Sequence, residues 1–331
     1  MSAPVVDLHS HVIPPGMVDA IRRTPATWGA RIDTEGAGER VVHAQGYAYP
    51  LAREFFDPAA KVASMDRRGL DVSVVSPAPP IFFYQADAQT AAAAARLIND
   101  GIAEMVAAYP RRLRGMATLP LQHPDLALAE LDRAVREHGF RAVEIGTSIE
   151  GAMLAEPRFR PVLRRCRELE VLVFAHPYYV GAKCGMESHY LTNLIGNPWD
   201  TTMAAANLML SGALDELDGI KIVLAHGGGF LPYQIGRLQH GYEVRPETRA
   251  DARTRPLEQL RRFHYDSMVF DPRALRYLID VAGSDRVALG SDSPFDMGED
   301  DPLARIDAVP ALTPRQREDV CGRTALRLLG E

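Results

Sequence analysis

Cysteine is scarce in this chain, and the few cysteines are not arranged for disulfides or for a thiolate metal site. Only three occur in 331 residues, at Cys166, Cys184 and Cys321. An odd number of widely spaced cysteines does not make a disulfide framework, and no two of them have the short spacing of a zinc-binding pair. We therefore expect a protein of a reducing compartment, most simply the cytoplasm.

Long apolar runs and clusters of basic residues are also missing. No uninterrupted apolar run reaches the roughly 18 residues of a transmembrane helix. The 37 Lys and Arg against 43 Asp and Glu give a formal net charge of -6, without a conspicuous Lys/Arg cluster. We therefore expect neither a membrane nor a nucleic acid as a partner. With 47% hydrophobic and 24% charged residues, the composition is that of an ordinary enzyme with a full core.

A short segment near the N terminus combines an apolar run with two histidines. It reads Val5-Val6-Asp7-Leu8-His9-Ser10-His11. On a β-strand, residues i and i+2 point the same way, so His9 and His11 can offer two imidazoles to one ion. Two of ten histidines could also fall this close by chance. The pair alone leaves both interpretations open.

Three further apolar runs end in polar residues of the kinds that bind metals. VLVFAHP carries His176, IKIVLAHGGG carries His226, and RVALGSDSPF carries Asp292. Each polar residue follows about four β-favouring residues, which is typical of a buried strand whose last residue enters a loop. Histidines and an aspartate at four strand ends together indicate a metal centre.

Strand and helix patterns alternate along the chain, which predicts an α/β fold, a (β/α)8 TIM barrel in one domain over residues 1–331. Residues 12–58 form a long irregular stretch after the first strand, which we interpret as a small insertion or lid over the metal site. A doubly wound open sheet is the alternative, but no predicted strand is followed by a Gly-x-Gly-x-x-Gly turn. The predicted strands are 5–11, 72–76, 113–119, 142–145, 171–175, 220–225, 263–266 and 287–289, and the predicted helices are 59–68, 88–109, 126–138, 158–169, 201–211 and 272–281, with another after Pro232.

The barrel topology turns these strand ends into one predicted site. The carboxyl ends of all barrel strands meet on one face, so His9, His11, His176 and Asp292 would lie together and bind one divalent ion. Neutral imidazoles and a carboxylate suit Zn²⁺, with Mn²⁺ or Fe²⁺ as alternatives. We expect no organic cofactor. Asp7, two residues before His9, could bind the ion or orient a histidine from behind.

The motifs resemble the amidohydrolase superfamily, and within it the branch around aminocarboxymuconate semialdehyde decarboxylase. The matching segments are DLHSH at 7–11, AHP at 175–177, HGGGFLPYQIGR at 226–237 and GSDSPF at 290–295, so the resemblance spans nearly the whole chain. From the residues alone, His226 could be a fifth ligand, an acid–base group or a buried histidine bonded to its glycine loop. The resemblance implies that it transfers protons beside the metal, and Asp292 is our second catalytic candidate.

The same resemblance bears on how substrate is bound. It implies that Arg237 crosses a dimer interface and pairs with a substrate carboxylate in the neighbouring site, which would make the protein a homodimer or a higher homo-oligomer. This chain departs from the branch at Tyr49-Pro50, where the relatives carry a second carboxylate-binding arginine before the proline. We take Tyr49, and Arg53 three residues after the proline, as candidate substrate contacts. A second departure is Ser293, where the decarboxylases often have a tyrosine.

Two enzymatic functions use the same site. As a decarboxylase, the protein would release CO2 from an aromatic or unsaturated carboxylic acid, a small-molecule carboxylate. As a hydrolase or hydratase, it would use a metal-activated water to attack a carbonyl carbon or a conjugated keto acid. A non-catalytic barrel is a third alternative, which the complete set of metal and proton-transfer residues disfavours. The resemblance favours decarboxylation.

Overall fold

The computed structural model describes residues 3–36, 38–178 and 185–331, and its central feature is a barrel of eight parallel strands. Each strand pairs with the next along the chain. The barrel closes where Leu8 N donates to Leu289 O at 2.8 Å and His11 N donates to Ser293 O at 2.7 Å. The predicted (β/α)8 barrel is thus confirmed. Its strands are β1 Val6–Val12, β2 Val72–Pro77, β3 Leu113–Ala117, β4 Ala142–Gly146, β5 Leu172–His176, β6 Ile222–Leu224, β7 Phe263–Asp266 and β8 Val287–Ala288.

Helices follow the strands near the predicted places, and local sequence explains where they begin and end. At the start of Pro58–Arg68, the Asp57 carboxylate accepts hydrogen bonds from the N–H groups of Ala59 and Ala60. Gly69 ends this helix in the left-handed conformation, with φ of 69°. The other main helices are Ala88–Ala108, Pro124–His138, Arg160–Glu168, Asn197–Leu210, Leu231–Val244 and Pro272–Ala282, and shorter ones are Pro15–Arg23, Pro25–Trp28, Ala213–Glu216, Pro256–Gln259, Pro302–Asp307, Pro314–Glu318 and Thr324–Leu329.

Alternation along the strands separates two apolar cores. Phe174 and Val223 belong to a cluster of apolar side chains that fills the barrel. Leu328 of the last helix belongs to the same cluster and covers it at the amino ends of the strands. Val173 and Ile222, their neighbours in sequence, pack in a second cluster between the barrel and the surrounding helices. Polar side chains take over at the carboxyl ends of the strands, which is where the site lies.

The segment after β1 is more regular than predicted. It contains the helix Pro15–Arg23 and a three-stranded antiparallel sheet of Ala30–Glu35, Gly38–His43 and Ala48–Pro50. The expectation of a long irregular stretch was wrong here, because the first of these strands has only two apolar residues, Ala30 and Ile32, and so short an alternation does not mark a strand in sequence. The sheet brings residues 46–49 to the carboxyl face of the barrel.

Candidate metal centre and active site

The structure brings the four predicted metal ligands together. His9, His11, His176 and Asp292 are all buried, and each offers one ligand atom within 4.8 Å of the others. The Nε2 atoms of His9 and His11 lie 3.0 Å apart. Asp292 Oδ1 is 3.0 Å from His11 Nε2 and 3.5 Å from His9 Nε2. Four donors therefore converge on one point from the ends of β1 and β5 and from the loop after β8.

Two observations show that this cluster fits a divalent cation. Among the described residues, the buried atom His176 Nε2 has no hydrogen-bond partner. Around the cluster, the carboxylates of Asp7, Glu144, Asp266 and Asp292 are buried, whereas Lys61 carries the one buried ammonium group in the part of the chain that the structure describes. Buried charge is costly unless it is compensated, and a doubly charged ion compensates much of this excess.

The pKa values of the ligands follow from the same balance. Burial, helped by the neighbouring histidines, holds the pKa of His176 well below its usual value, so this imidazole is neutral and its electron pair is available. For His11, burial alone would lower the pKa, but the charges of Glu144 and Asp292 outweigh burial and raise it to about 9. The negative charges of Glu144 and Asp292, which favour the protonated form of His11, would also attract a metal cation.

Asp266, at the end of β7, orients two members of the site. Its Oδ2 lies 2.7 Å from His9 Nδ1 and also accepts the N–H of His226 at 2.9 Å, while Oδ1 accepts the N–H of Gly227 at 2.7 Å. Burial alone would raise the pKa of Asp266, but the hydrogen bond and charge of His9 outweigh it and lower the pKa. Our sequence analysis missed this residue, although the strand-end rule that marked His176 also applies to it.

Among the described residues, the Asp7 carboxylate bonds to the backbone of a predicted ligand and not to its imidazole: Oδ1 accepts the N–H of His9 at 3.2 Å. Its carboxylate accepts hydrogen bonds from the N–H and hydroxyl of Ser291, at 3.0 and 2.7 Å, and contacts Ser73 Oγ at 3.5 Å. The pairing of β1 with β2 shifts register between Asp7 and Ser10, so simple alternation from Asp7 to His9 does not hold. Asp7 therefore links β1 to β2 and to the loop after β8, whereas the carboxylate that contacts the His9 imidazole is that of Asp266. A role for Asp7 behind the ligands stays a prediction.

Lys61 is a second residue that sequence analysis did not single out. Its ammonium group is fully buried and donates to the carbonyl oxygens of His11 at 3.2 Å and Ser293 at 3.1 Å. Burial lowers its pKa to about 8. His11 is a predicted ligand, and Ser293 directly follows the predicted ligand Asp292. Lys61 therefore connects β1 to the loop after β8, where the barrel closes.

His226 lies beside the ligand cluster. Its Nε2 is 3.6 Å from Asp292 Oδ2, and the centroid of its ring is 4.9 Å from that of His176. The chain turns sharply after it through glycines with positive φ. A Cβ at Gly229 would come within 2.1 Å of Pro198 O, so this close approach requires glycine.

A cavity of about 270 Å³ opens beside these residues, a volume suited to a small single-ring molecule. His176, His226 and Asp292 line one part of it, and Tyr49 and Phe295 line another. The Tyr49 and Phe295 rings meet edge to face with centroids 5.3 Å apart. Further polar lining comes from Tyr190, Asn193, Asn197 and Asp296.

The three predicted substrate contacts differ in position. Tyr49 lines the cavity, and its hydroxyl lies 3.1 Å from His43 Nε2. The Arg53 side chain is 78% exposed and pairs with Asp57, so the structure does not bring it to the cavity. Arg237 lies exposed on the helix Leu231–Val244, outside the cavity of its own chain.

Similarity to known proteins agrees with this geometry. Residues 6–330 match the amidohydrolase family. A 2-amino-3-carboxymuconate-6-semialdehyde decarboxylase of Dictyostelium discoideum is 31% identical over 327 residues, which cover 98% of this chain and 91% of that protein. The crystal structure of Metarhizium anisopliae IDCase in apo form superposes with a TM-score of 0.85 at 26% identity, covering 99% of this chain and 97% of that chain.

A solved relative contains a metal. The dihydroxybenzoic acid decarboxylase of Polaromonas sp., with bound manganese and the inhibitor 2-nitroresorcinol, superposes with a TM-score of 0.81 at 23% identity, covering 100% of this chain and 97% of that chain.

In the described part of the present chain, no helix has the length and apolar character needed to span a membrane. From its matched residues, its barrel and its ligand cluster, the chain belongs to the amidohydrolase family, in the branch that includes 2-amino-3-carboxymuconate-6-semialdehyde decarboxylase.

Proposed function

We propose that this protein is a metal-dependent decarboxylase that releases CO2 from an aromatic or unsaturated carboxylic acid. The observation that carries the proposal is the cavity, in which His226 and two metal ligands line a space for one small ring. The decarboxylase of Dictyostelium, similar over nearly the whole chain, supports this chemistry. A non-catalytic barrel is disfavoured because every predicted metal ligand and His226 lie together.

The proposed reaction needs a proton at one face of the substrate. Loss of CO2 breaks a carbon–carbon bond and leaves its electron pair on the substrate carbon, which must then take up a proton. When bound, the divalent ion supplies a Lewis-acid charge that attracts substrate oxygens. His226 is placed to hold and deliver the proton, since it lines the cavity with its Nε2 3.6 Å from Asp292 Oδ2. Tyr49 and Phe295 would cover the ring and exclude water.

We infer one divalent ion per chain, held by His9, His11, His176 and Asp292. Three imidazoles and one carboxylate suit Zn²⁺, which is our first choice. Mn²⁺ is the second candidate, and the manganese in the Polaromonas decarboxylase supports it. Metal analysis of protein purified without added metal distinguishes the two.

The test of this function is CO2 release by metal-assayed protein offered ortho-hydroxy and ortho-amino aromatic acids and unsaturated dicarboxylates. We expect at least one substrate to release CO2, activity to disappear after chelation, and Zn²⁺ or Mn²⁺ to restore it. Tight binding of one ion per chain without any CO2 release would contradict decarboxylation. The hydrolase or hydratase alternative would then be tested with esters, lactones, amides and conjugated keto acids.

We also propose that the active unit is a homodimer in which Arg237 serves the neighbouring site. Among the described residues, no lysine or arginine lines the cavity, and Arg237 has no ion-pair partner in its own chain. Large apolar side chains are exposed close by, which is typical of an interface. They are Leu194, Phe230, Tyr233, Phe270 and Tyr277.

A second cavity gives a route from this surface to the site. It has a volume of about 430 Å³, and its lining includes the exposed Leu194, Phe230 and Phe270 as well as His226 and Asp292. An arginine from a second copy could therefore approach the substrate carboxylate through it. A guanidinium group is suited to grip a carboxylate with two hydrogen bonds.

Mixing defective chains tests the shared site. Arg237→Ala and His226→Ala chains, co-expressed with different tags, should each be inactive alone and regain activity together. Each mixed dimer has one intact site of two, the one that combines His226 of one chain with Arg237 of the other. Since about half of randomly paired dimers are mixed, about a quarter of all sites should be active. A mixture no more active than its parents, or a monomer in sedimentation, would exclude Arg237 acting between chains.

A reducing, cytoplasmic setting remains our prediction. Cys166 and Cys321 are buried free thiols, which is compatible with it, and Cys184 lies outside the described residues. Burial raises the pKa of the Cys166 thiol to about 12, so this cysteine is not a reactive thiolate.

A further inference from the structure

Glu144 is a buried acid that the proposed reaction does not use. It lies in the middle of β4, two residues after Ala142 of the cluster that fills the barrel, and is fully buried. Neither carboxylate oxygen has a hydrogen-bond partner among the described residues. A buried carboxylate without partners is unfavourable, so its presence requires a compensating positive charge or donor.

The nearest candidate for this partner is His11. Glu144 Oε2 lies 3.6 Å from His11 Nδ1, an ion-pair distance that is slightly too long for a hydrogen bond. The other nitrogen of this imidazole, Nε2, lies in the ligand cluster, 3.0 Å from Asp292 Oδ1. The ring of His11 therefore stands between Glu144 and the position of the ion.

Two neutral groups compete for the same nitrogen. Pro77 O lies 3.3 Å and Ser76 Oγ 3.2 Å from His11 Nδ1. The Ser76 hydroxyl is also 3.0 Å from Ser10 O, to which it can donate its proton. Glu144 differs from both because it brings a full negative charge, which strengthens a hydrogen bond from Nδ1–H and makes the imidazole a better donor to a cation.

We propose that Glu144 is a positioning residue that acts through His11: its negative charge, 3.6 Å from Nδ1, keeps a proton on that nitrogen and leaves Nε2 as the nitrogen that faces the ion. The proposal rests on the proposed metal site. Glu144 is not one of the four residues whose ligand atoms converge, so it acts from behind the ligand and not as a ligand itself.

Comparison with Asp266 separates this role from a purely structural one. Asp266 stands behind His9 at 2.7 Å, but it also accepts backbone N–H groups of His226, Gly227 and Met268. Its loss would disturb a turn as well as a ligand. Glu144 makes no such backbone contacts among the described residues, so its replacement tests the effect on His11 alone.

The experiment compares the Zn²⁺ affinity of wild-type protein and Glu144→Gln by competition with a chelator, using the metal alone as the probe. The amide has nearly the same shape but no charge. We expect Glu144→Gln to bind Zn²⁺ about 10- to 100-fold more weakly. Glu144→Asp, which keeps the charge but moves it away from Nδ1, should fall between the two.

Glu130→Gln is the matched control. Glu130 is also a buried glutamate, but it bonds to Asn99 and Arg133 on outer helices. Its replacement should lower thermal stability without changing Zn²⁺ affinity. Equal affinities of wild type and Glu144→Gln would overturn the proposal, and so would an equal loss of affinity in Glu130→Gln.

Failure of the metal site and failure of the Glu144→Gln variant to fold can each be told apart from failure of the proposed Glu144 role. If the wild-type protein itself binds no Zn²⁺ or Mn²⁺, the metal site fails, and with it the premise of the inference. If Glu144→Gln does not fold, ¹⁵N NMR of the histidines in the Zn²⁺-bound wild type decides. A protonated Nδ1 on His11 is expected, and metal-bound Nδ1 would overturn the proposal.

Discussion

Replacing His226 with alanine is expected to lower kcat for CO2 release by about 10³-fold, within the range that a general acid contributes. His226 lines the cavity next to Asp292 but is not one of the four residues that converge on the ion. The variant should therefore lose its proton donor and keep its metal. Substrate binding should change much less than kcat, because the proton is needed only when the carbon–carbon bond breaks.

The measurement is steady-state CO2 release together with metal content per chain. His138→Ala is a suitable control, since His138 pairs with Asp100 on the outer helices and should leave kcat unchanged. Retention of more than about a tenth of the activity in His226→Ala would exclude it as the essential acid. Loss of metal along with activity would instead identify His226 as a fifth ligand.

Asp292→Asn is expected to abolish both tight metal binding and activity. The amide preserves the shape of the side chain but removes the negative charge that faces His9 and His11 at 3.5 and 3.0 Å. Residues behind the ligands typically contribute 10- to 100-fold in metal affinity, so loss of a charged ligand should cost more than about a hundredfold. At metal concentrations that saturate the wild type, most of the variant should remain empty.

Binding and stability measurements check this result together. An ion that binds only the folded chain stabilises it by about 2.7 kcal/mol at a hundred times its dissociation constant. Added Zn²⁺ should therefore raise the melting temperature of the wild type and not that of Asp292→Asn. Asp296→Asn changes another carboxylate of the same cavity, four residues along, and should keep the wild-type metal affinity. An unchanged affinity in Asp292→Asn would show that the ion is held elsewhere.

The cluster of candidate ligands could be predicted because each of its residues lies at or after the end of a recognisable strand. His176 comes directly after an apolar run and Asp292 follows another run by three residues. The rule that the carboxyl ends of barrel strands share one face brings both to His9 and His11. No knowledge of side-chain contacts was needed. Asp266 satisfies the same rule, and it was overlooked because Phe-His-Tyr-Asp is a weaker apolar pattern than the others.

Lys61 and Glu144 could not be found in this way. Lys61 lies within a regular helix and Glu144 within a strand, and neither belongs to a motif. Charged residues at such positions are normally expected at the surface. Their burial follows from where the helix Pro58–Arg68 and β4 pack in the closed barrel. The exposure of Arg53, which lies just before this helix, follows from the same packing.

By itself, the sequence determined the order of strands and helices, the barrel and the residues that could bind an ion, because periodicity, helix caps and strand ends are local properties. Only the tertiary structure decided which carboxylate orients His9, which charges are buried around the ion and which predicted contacts reach the cavity. The physical reason is distance along the chain. His9 and Asp266 are 257 residues apart, and Lys61 and Ser293 are 232 apart, so only closure of the barrel brings each pair together.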